Sequence, residues 1–183
     1  MGTPLTKQEQ VVLLGIARDA ITSYLRNGTR VEPTHQAESL NQHLGCFVTL
    51  SQAGQLRGCI GTFTSQRPLC KEVAVMAITA ATKDPRFYPM GKEDLDNFSI
   101  EISILSPLRK AKDPAEITVG LHGIYLEQDG QRGVLLPQVA IEQQWDRETF
   151  LQHTCYKAGL TKNAWQTAGC DIYLFTAQIM KET

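Results

Sequence analysis

Leu56-Arg57-Gly58-Cys59-Ile60-Gly61 is the segment whose residue types come closest to chemistry. Read as part of a strand from Gln55 to Phe63, it alternates with a period of two. Arg57, Cys59, Gly61 and Phe63 then share one face, and Leu56, Gly58, Ile60 and Thr62 share the other. A cation beside a thiol favours the thiolate, which is the nucleophilic form of cysteine. Glycines inside a strand weaken it and leave no side chain to pack. Close approach of another backbone, a bulge or a bound ligand would each explain Gly58 and Gly61. The bland alternative is a buried, inert Cys59 with Arg57 paired to a carboxylate.

Three residues elsewhere could join such a site. Glu101 sits on the polar face of an alternating strand, where a carboxylate is solvated, paired with Arg57 or Arg86, or an acid/base. His122 lies between Leu121 and Gly123 at a strand entrance, and could serve Cys59 as a base or simply shape a turn. Arg86, in Asp84-Pro85-Arg86-Phe87, could clamp an anion bidentately, or help the proline end the preceding helix. Catalytic candidates are therefore Cys59, Glu101 and His122. Substrate-binding candidates are Arg57, Gly58, Gly61 and Arg86.

No metal site is expected. There is no Cys-x-x-Cys and no His-Glu-x-x-His, and His35 and His43 fall in a polar stretch that reads as solvated loop. Glycine-rich phosphate loops are absent as well, so the sequence names no cofactor.

The elements that must position these residues are legible from periodicity and turn chemistry. Thr6 and Glu9 form a capping box that opens a helix over 6–26, and Asn27-Gly28 ends it. Strands are expected over 45–52 and 55–63, joined at Ala53-Gly54, followed by a helix over 68–82. In 98–106, Phe98, Ile100, Ile102 and Ile104 face one way. A second hairpin over 123–136 turns at Asp129-Gly130. Helical stretches over 138–144 and 147–158 follow, and a single strand over 172–180 closes the chain. Hairpins outnumber crossover units, which predicts an α+β fold with antiparallel or mixed sheets covered by helices.

Composition narrows the classes. The chain has 183 residues, 42% hydrophobic and 20% charged, with a formal net charge of -1. A chain this long buries about 70% of its unfolded surface and needs no staples. The lack of a basic arm or patch argues against duplex nucleic acid, whose binding depends on phosphate neutralisation. Five widely spaced cysteines make a poor disulfide framework and fit reduced thiols in the cytoplasm. No apolar run approaches a membrane span.

The segments FVTL (Phe47 to Leu50), LRGCIGTF (Leu56 to Phe63), DPRF (Asp84 to Phe87), IEISILSP (Ile100 to Pro107), HGIYL (His122 to Leu126), LLPQVA (Leu135 to Ala140) and KAGL (Lys157 to Leu160) occur in this order. Together they resemble the AMMECR domain family, which includes the microbial AmmeMemoRadiSam system protein A members. The resemblance covers nearly the whole chain. It implies one domain over 1–183, built of two unequal lobes with a cleft and a site around the hexapeptide. It implies partnership with a Memo-like protein and a radical-SAM protein, beside which microbial members are encoded. It carries no established reaction. The functional expectation is an enzyme or enzyme subunit of small-molecule or nucleotide metabolism. A non-catalytic scaffold for those partners, or an RNA- or nucleotide-binding protein, stands as the alternative.

Overall fold

The Thr6 hydroxyl accepts the Glu9 N–H (3.3 Å) while the Glu9 carboxylate accepts the Thr6 N–H (2.7 Å), closing the capping box that opens α1 (Lys7–Asn27). Gly28, at φ 72°, closes the helix by donating its N–H to the Tyr24 carbonyl (2.8 Å). The computed structural model describes residues 4–182. A polar loop with one 3-10 turn (Glu38–Asn41) leads to β1 (Cys46–Gln52) and β2 (Gln55–Thr62). Ala53 (φ 50°) and Gly54 (φ 76°) supply the two left-handed residues of the tight turn between them. Then come α2 (Leu69–Thr82) and β3 (Ser99–Leu105).

These elements belong to the first of two units, made of the chain up to Leu105 together with the stretch from Gln178 onward. Its sheet has the order β2-β1-β3-β8, with β8 spanning Ala177–Lys181. β1 pairs antiparallel with both β2 and β3. Val48 and Leu50 of β1 and Ile100, Ile102 and Ile104 of β3 are buried against α1 and α2, with Leu13, Ile21, Val73 and Ala77 across from them. Phe47, Thr49 and Ser51 alternate with those residues and occupy the face without helices.

The second unit is Ser106–Ala177. It contains β4 (Arg109–Lys110), β5 (Gly123–Gln128), β6 (Gln131–Leu135), α3 (Pro137–Glu142), α4 (Arg147–Lys157) and β7 (Asp171–Phe175). The strand order is β4-β7-β5-β6, and its pairings are antiparallel. Ile124, Leu126 and Leu174 from the sheet pack with Phe150, Leu151 and Cys155 of α4. The architecture is α+β throughout.

Two features depart from expectation. The closing stretch 172–180 is two strands in different sheets, β7 and β8, broken at Thr176, whose N–H and carbonyl bind Ser106. The short strand β4 has no counterpart among the expected elements, because two exposed basic residues carry no strand pattern.

Candidate active site

β2 is an edge strand, so the backbone groups that point away from β1 need partners. At Cys59 both are satisfied by side chains. The Cys59 N–H donates to Asp84 Oδ2 (2.8 Å), and Arg86 Nη2 donates to the Cys59 carbonyl (3.3 Å). Asp84 and Arg86 also bind each other through three bonds, Nε to Oδ1 (2.9 Å), Nη2 to Oδ2 (2.6 Å) and the Arg86 N–H to Oδ1 (3.1 Å). This ion pair acts as a clip that substitutes for a neighbouring strand. Asp84 is buried, whereas Arg86 is more than half exposed. The Arg86 guanidinium holds the Asp84 carboxyl well below the usual carboxylate range, against the opposing effect of burial. Asp84 in turn raises the Arg86 guanidinium, with a smaller contribution from Cys59.

Since the Cys59 backbone points outward, its pairing with Thr49 is the non-hydrogen-bonded kind, in which side chains lie closest. The Thr49 hydroxyl accordingly donates to Cys59 Sγ at 3.2 Å. Thr49 is opposite Glu101 on its other side. Cys59, Thr49 and Glu101 therefore form one row across three strands, on the helix-free face. With strands spaced about 4.8 Å apart, the row is about 10 Å long. Cys59, Thr49 and Glu101 are each half-buried.

The two glycines have structural explanations. A Cβ on Gly58 would fall on the Ala80 carbonyl of α2, so glycine permits the helix to lie against the strand. A Cβ on Gly61 would fall on the ring of Phe47, its cross-strand partner, and on the Cys46 carbonyl. The Phe47 ring meets Phe63 edge-on at 5.3 Å.

Arg57 is the extra residue of a bulge, since Leu50 pairs with Gly58 and Ser51 with Leu56. Its Nη1 donates to the Tyr88 carbonyl (2.7 Å), and the Asp94 carboxylate lies 3.8 Å from its Nη2. The segment from Asp84 to Tyr88 is thus pinned to β2 at both Cys59 and Arg57, and the Tyr88 side chain is left 91% exposed. Each of the two arginines faces one carboxylate, Arg57 that of Asp94 and Arg86 that of Asp84.

His122 lies in the second unit. Its Nδ1 accepts the Thr118 N–H (3.0 Å) and its own N–H donates to the Thr118 carbonyl (2.9 Å), which is the work of a turn residue. The structure therefore unites Cys59, Arg57, Arg86, Gly58, Gly61 and Glu101 in one sheet region of the first unit, and gives His122 a turn role within the second. Sequence reasoning missed Thr49 and Asp84. Asp84 stood in plain view two residues before Arg86, but its target lies 25 residues away along the chain.

Among the described residues, no group of three or more His, Cys, Asp and Glu side chains is placed to hold a metal ion. His35 uses Nδ1 to accept the Ala37 N–H (3.0 Å). No helix among these residues is long and apolar enough to cross a membrane.

The model of the family described as AMMECR1 matches residues 14–180. The chain belongs to the AMMECR1 family. It is 40% identical to Protein MK0488 of Methanopyrus kandleri, in a match covering 100% of this chain and 92% of that one. A protein of Methanothermobacter thermautotrophicus is 41% identical over 98% of this chain and 97% of its own. Among solved structures, the uncharacterized protein PH0010 from Pyrococcus horikoshii superimposes with a TM-score of 0.91 at 38% identity, over 97% of this chain and 93% of that one. This AMMECR1 chain is thus a two-unit α+β protein, and the hexapeptide forms most of the edge strand of its first sheet.

Proposed function

We propose that this AMMECR1 protein is an enzyme, or an enzyme subunit, of small-molecule or nucleotide metabolism whose reactive group is the Cys59 thiol. The observation that carries the reading is the row Cys59–Thr49–Glu101 on the helix-free face. The thiol there is half-exposed, receives a hydroxyl hydrogen bond, and hangs from a backbone held on both sides. A hydrogen bond donated to sulfur stabilises the thiolate, the attacking form. A substrate about 10 Å long, lying along the row, would meet sulfur at one end and a carboxylate at the other. Glu101 is then the group that moves a proton at the far end. The donors of Arg57 and Arg86 not engaged in the contacts above would orient a polar substrate. Reduced thiols fit work in the cytoplasm, and the family setting supports a pathway shared with a Memo-like and a radical-SAM protein.

A binding or scaffold role is the second reading. It is favoured by the packing duties of Gly58 and Gly61 and by the structural bonds of both arginines. Cys59→Ser and Arg57→Ala separate the two. Under the enzyme reading, Cys59→Ser folds with a wild-type melting temperature and the pathway activity disappears. Wild-type activity in a folded Cys59→Ser protein sinks the thiol reading.

A further inference from the structure

The clip at Cys59 is built from two opposite charges, and that makes its role separable from simple edge protection. Covering the outer edge of β2 needs only one acceptor for an N–H and one donor for a carbonyl. A neighbouring strand, a loop backbone or a pair of neutral amides would serve. Here an ion pair does it, with the carboxylate buried and the guanidinium reaching the carbonyl of the same residue. Both charges are hydrogen-bonded to the main chain of the residue that carries the thiol, and the Arg86 guanidinium is close enough to Cys59 to be raised by it. We propose that Asp84 and Arg86 are positioning residues for Cys59, which lock its backbone and set, by opposing charges, how readily its sulfur becomes a thiolate. This deepens the thiol reading above and rests on it.

Other charged groups of the first unit lie around Cys59. Arg57, two residues earlier on the same strand, is beside Asp94 and bound to the connector. β1 contributes the uncharged Thr49, and Glu101 of β3 lies one strand further along the row. α2 covers the opposite face, with Ala80 against Gly58. Asp84 and Arg86 are the charged groups in direct hydrogen-bond contact with Cys59 itself.

The consequence is a pair of opposite effects. Removing the positive charge at position 86 disfavours the thiolate, while removing the negative charge at position 84 favours it. A purely structural clip gives no such sign reversal, because both losses loosen the same bonds.

The test is iodoacetamide labelling of the full-length chain across pH, read on the Cys59 peptide by mass spectrometry, with melting temperatures in parallel. Arg86→Gln is expected to move the pH midpoint of labelling up and to slow labelling at neutral pH roughly two- to fivefold, a size set by a partly exposed charge. Asp84→Asn is expected to move the midpoint down and speed labelling by a similar factor. Arg86→Lys, which keeps the charge, should restore the wild-type midpoint. Shifts in the same direction, or no shift with only melting temperatures changed, would overturn the proposal. If Arg86→Gln does not fold, Asp84→Asn and Arg86→Lys decide it: an unchanged midpoint in Asp84→Asn is fatal. The two readings fail separately. An active Cys59→Ser protein removes the thiol enzyme but not the opposed shifts, whereas an inactive one without those shifts removes only the charge-setting role.

Discussion

Asp84 Oδ2 accepts both the Cys59 N–H and Arg86 Nη2, and Oδ1 accepts Arg86 Nε, while the side chain is buried. A carboxyl held below its ordinary value binds its proton more weakly in the folded chain than in the unfolded one. The stability it contributes is therefore complete above the unfolded value near pH 4 and declines as pH falls further. Asp84→Asn should lower stability by about 1–3 kcal/mol at neutral pH, with the loss constant from pH 5 to 8. Below about pH 4 the gap should narrow. Urea unfolding of both proteins at a series of pH values checks this, and a gap already closing at pH 6 would contradict the assignment. The other cysteines offer a contrast at the same scale. Burial pushes the Cys46 and Cys155 thiols up, and burial with nearby Cys155 and Asp171 takes Cys170 to about 11. Cys70 is buried as well. Native labelling at pH 7.5 to 8 (about the range used for thiol alkylation) should therefore modify Cys59 first. Equal modification of Cys46 and Cys59 in the folded protein would contradict it.

The elements explain why much of the architecture was readable and the clip was not. The capping box of α1, the Ala53-Gly54 turn and the Asp129-Gly130 turn are short-range features, decided by residues within a few positions. The alternation of Ile100, Ile102 and Ile104 marks the buried face of β3 without reference to anything distant. By contrast, nothing local tells residues 171–175 from 177–181: both are strand-like, and only their pairing puts them in separate sheets. The site follows the same rule. Cys59 and its glycines were visible, while Thr49 and Asp84 depend on strand register and on a connector crossing an edge. Glycine substitutions test the element-level explanation directly. Gly58→Ala should cost about 1–3 kcal/mol, because the new methyl group falls on the Ala80 backbone and pushes α2 from the sheet. Gly15→Ala, inside α1 with open space around it, should instead stabilise by about 0.5–1 kcal/mol. Chemical denaturation of both variants gives the two signs, and a neutral Gly58→Ala would return the hexapeptide glycines to a ligand-based explanation.

At the scale of the whole molecule, the chain leaves the first unit after Leu105, builds the second, and returns at Gln178 to complete the first. The return is specific. Gln178 exchanges two hydrogen bonds with Leu5, both at 2.8 Å, and Met180 is buried in the core of the first unit. Glu182 binds Arg18 through both oxygens and also accepts the Ile100 N–H (2.9 Å). The first unit is thus closed by residues far apart in sequence, while the second is one continuous segment. That asymmetry predicts how the molecule responds to losing its last strand. Both tryptophans, Trp145 and Trp165, lie in the second unit, so their fluorescence reports on that unit alone. Truncation after Ala177 removes β8 and the partners of Leu5, Arg18 and Ile100. Amide exchange in β1, β3 and α1 should then accelerate at least tenfold, the equivalent of about 1.4 kcal/mol. Protection in β5, β7 and α4, and the tryptophan emission maximum, should stay near wild type. Uniform loss of protection in both units would mean that the chain unfolds as one cooperative body, and that closure of the first sheet is also a condition for the second.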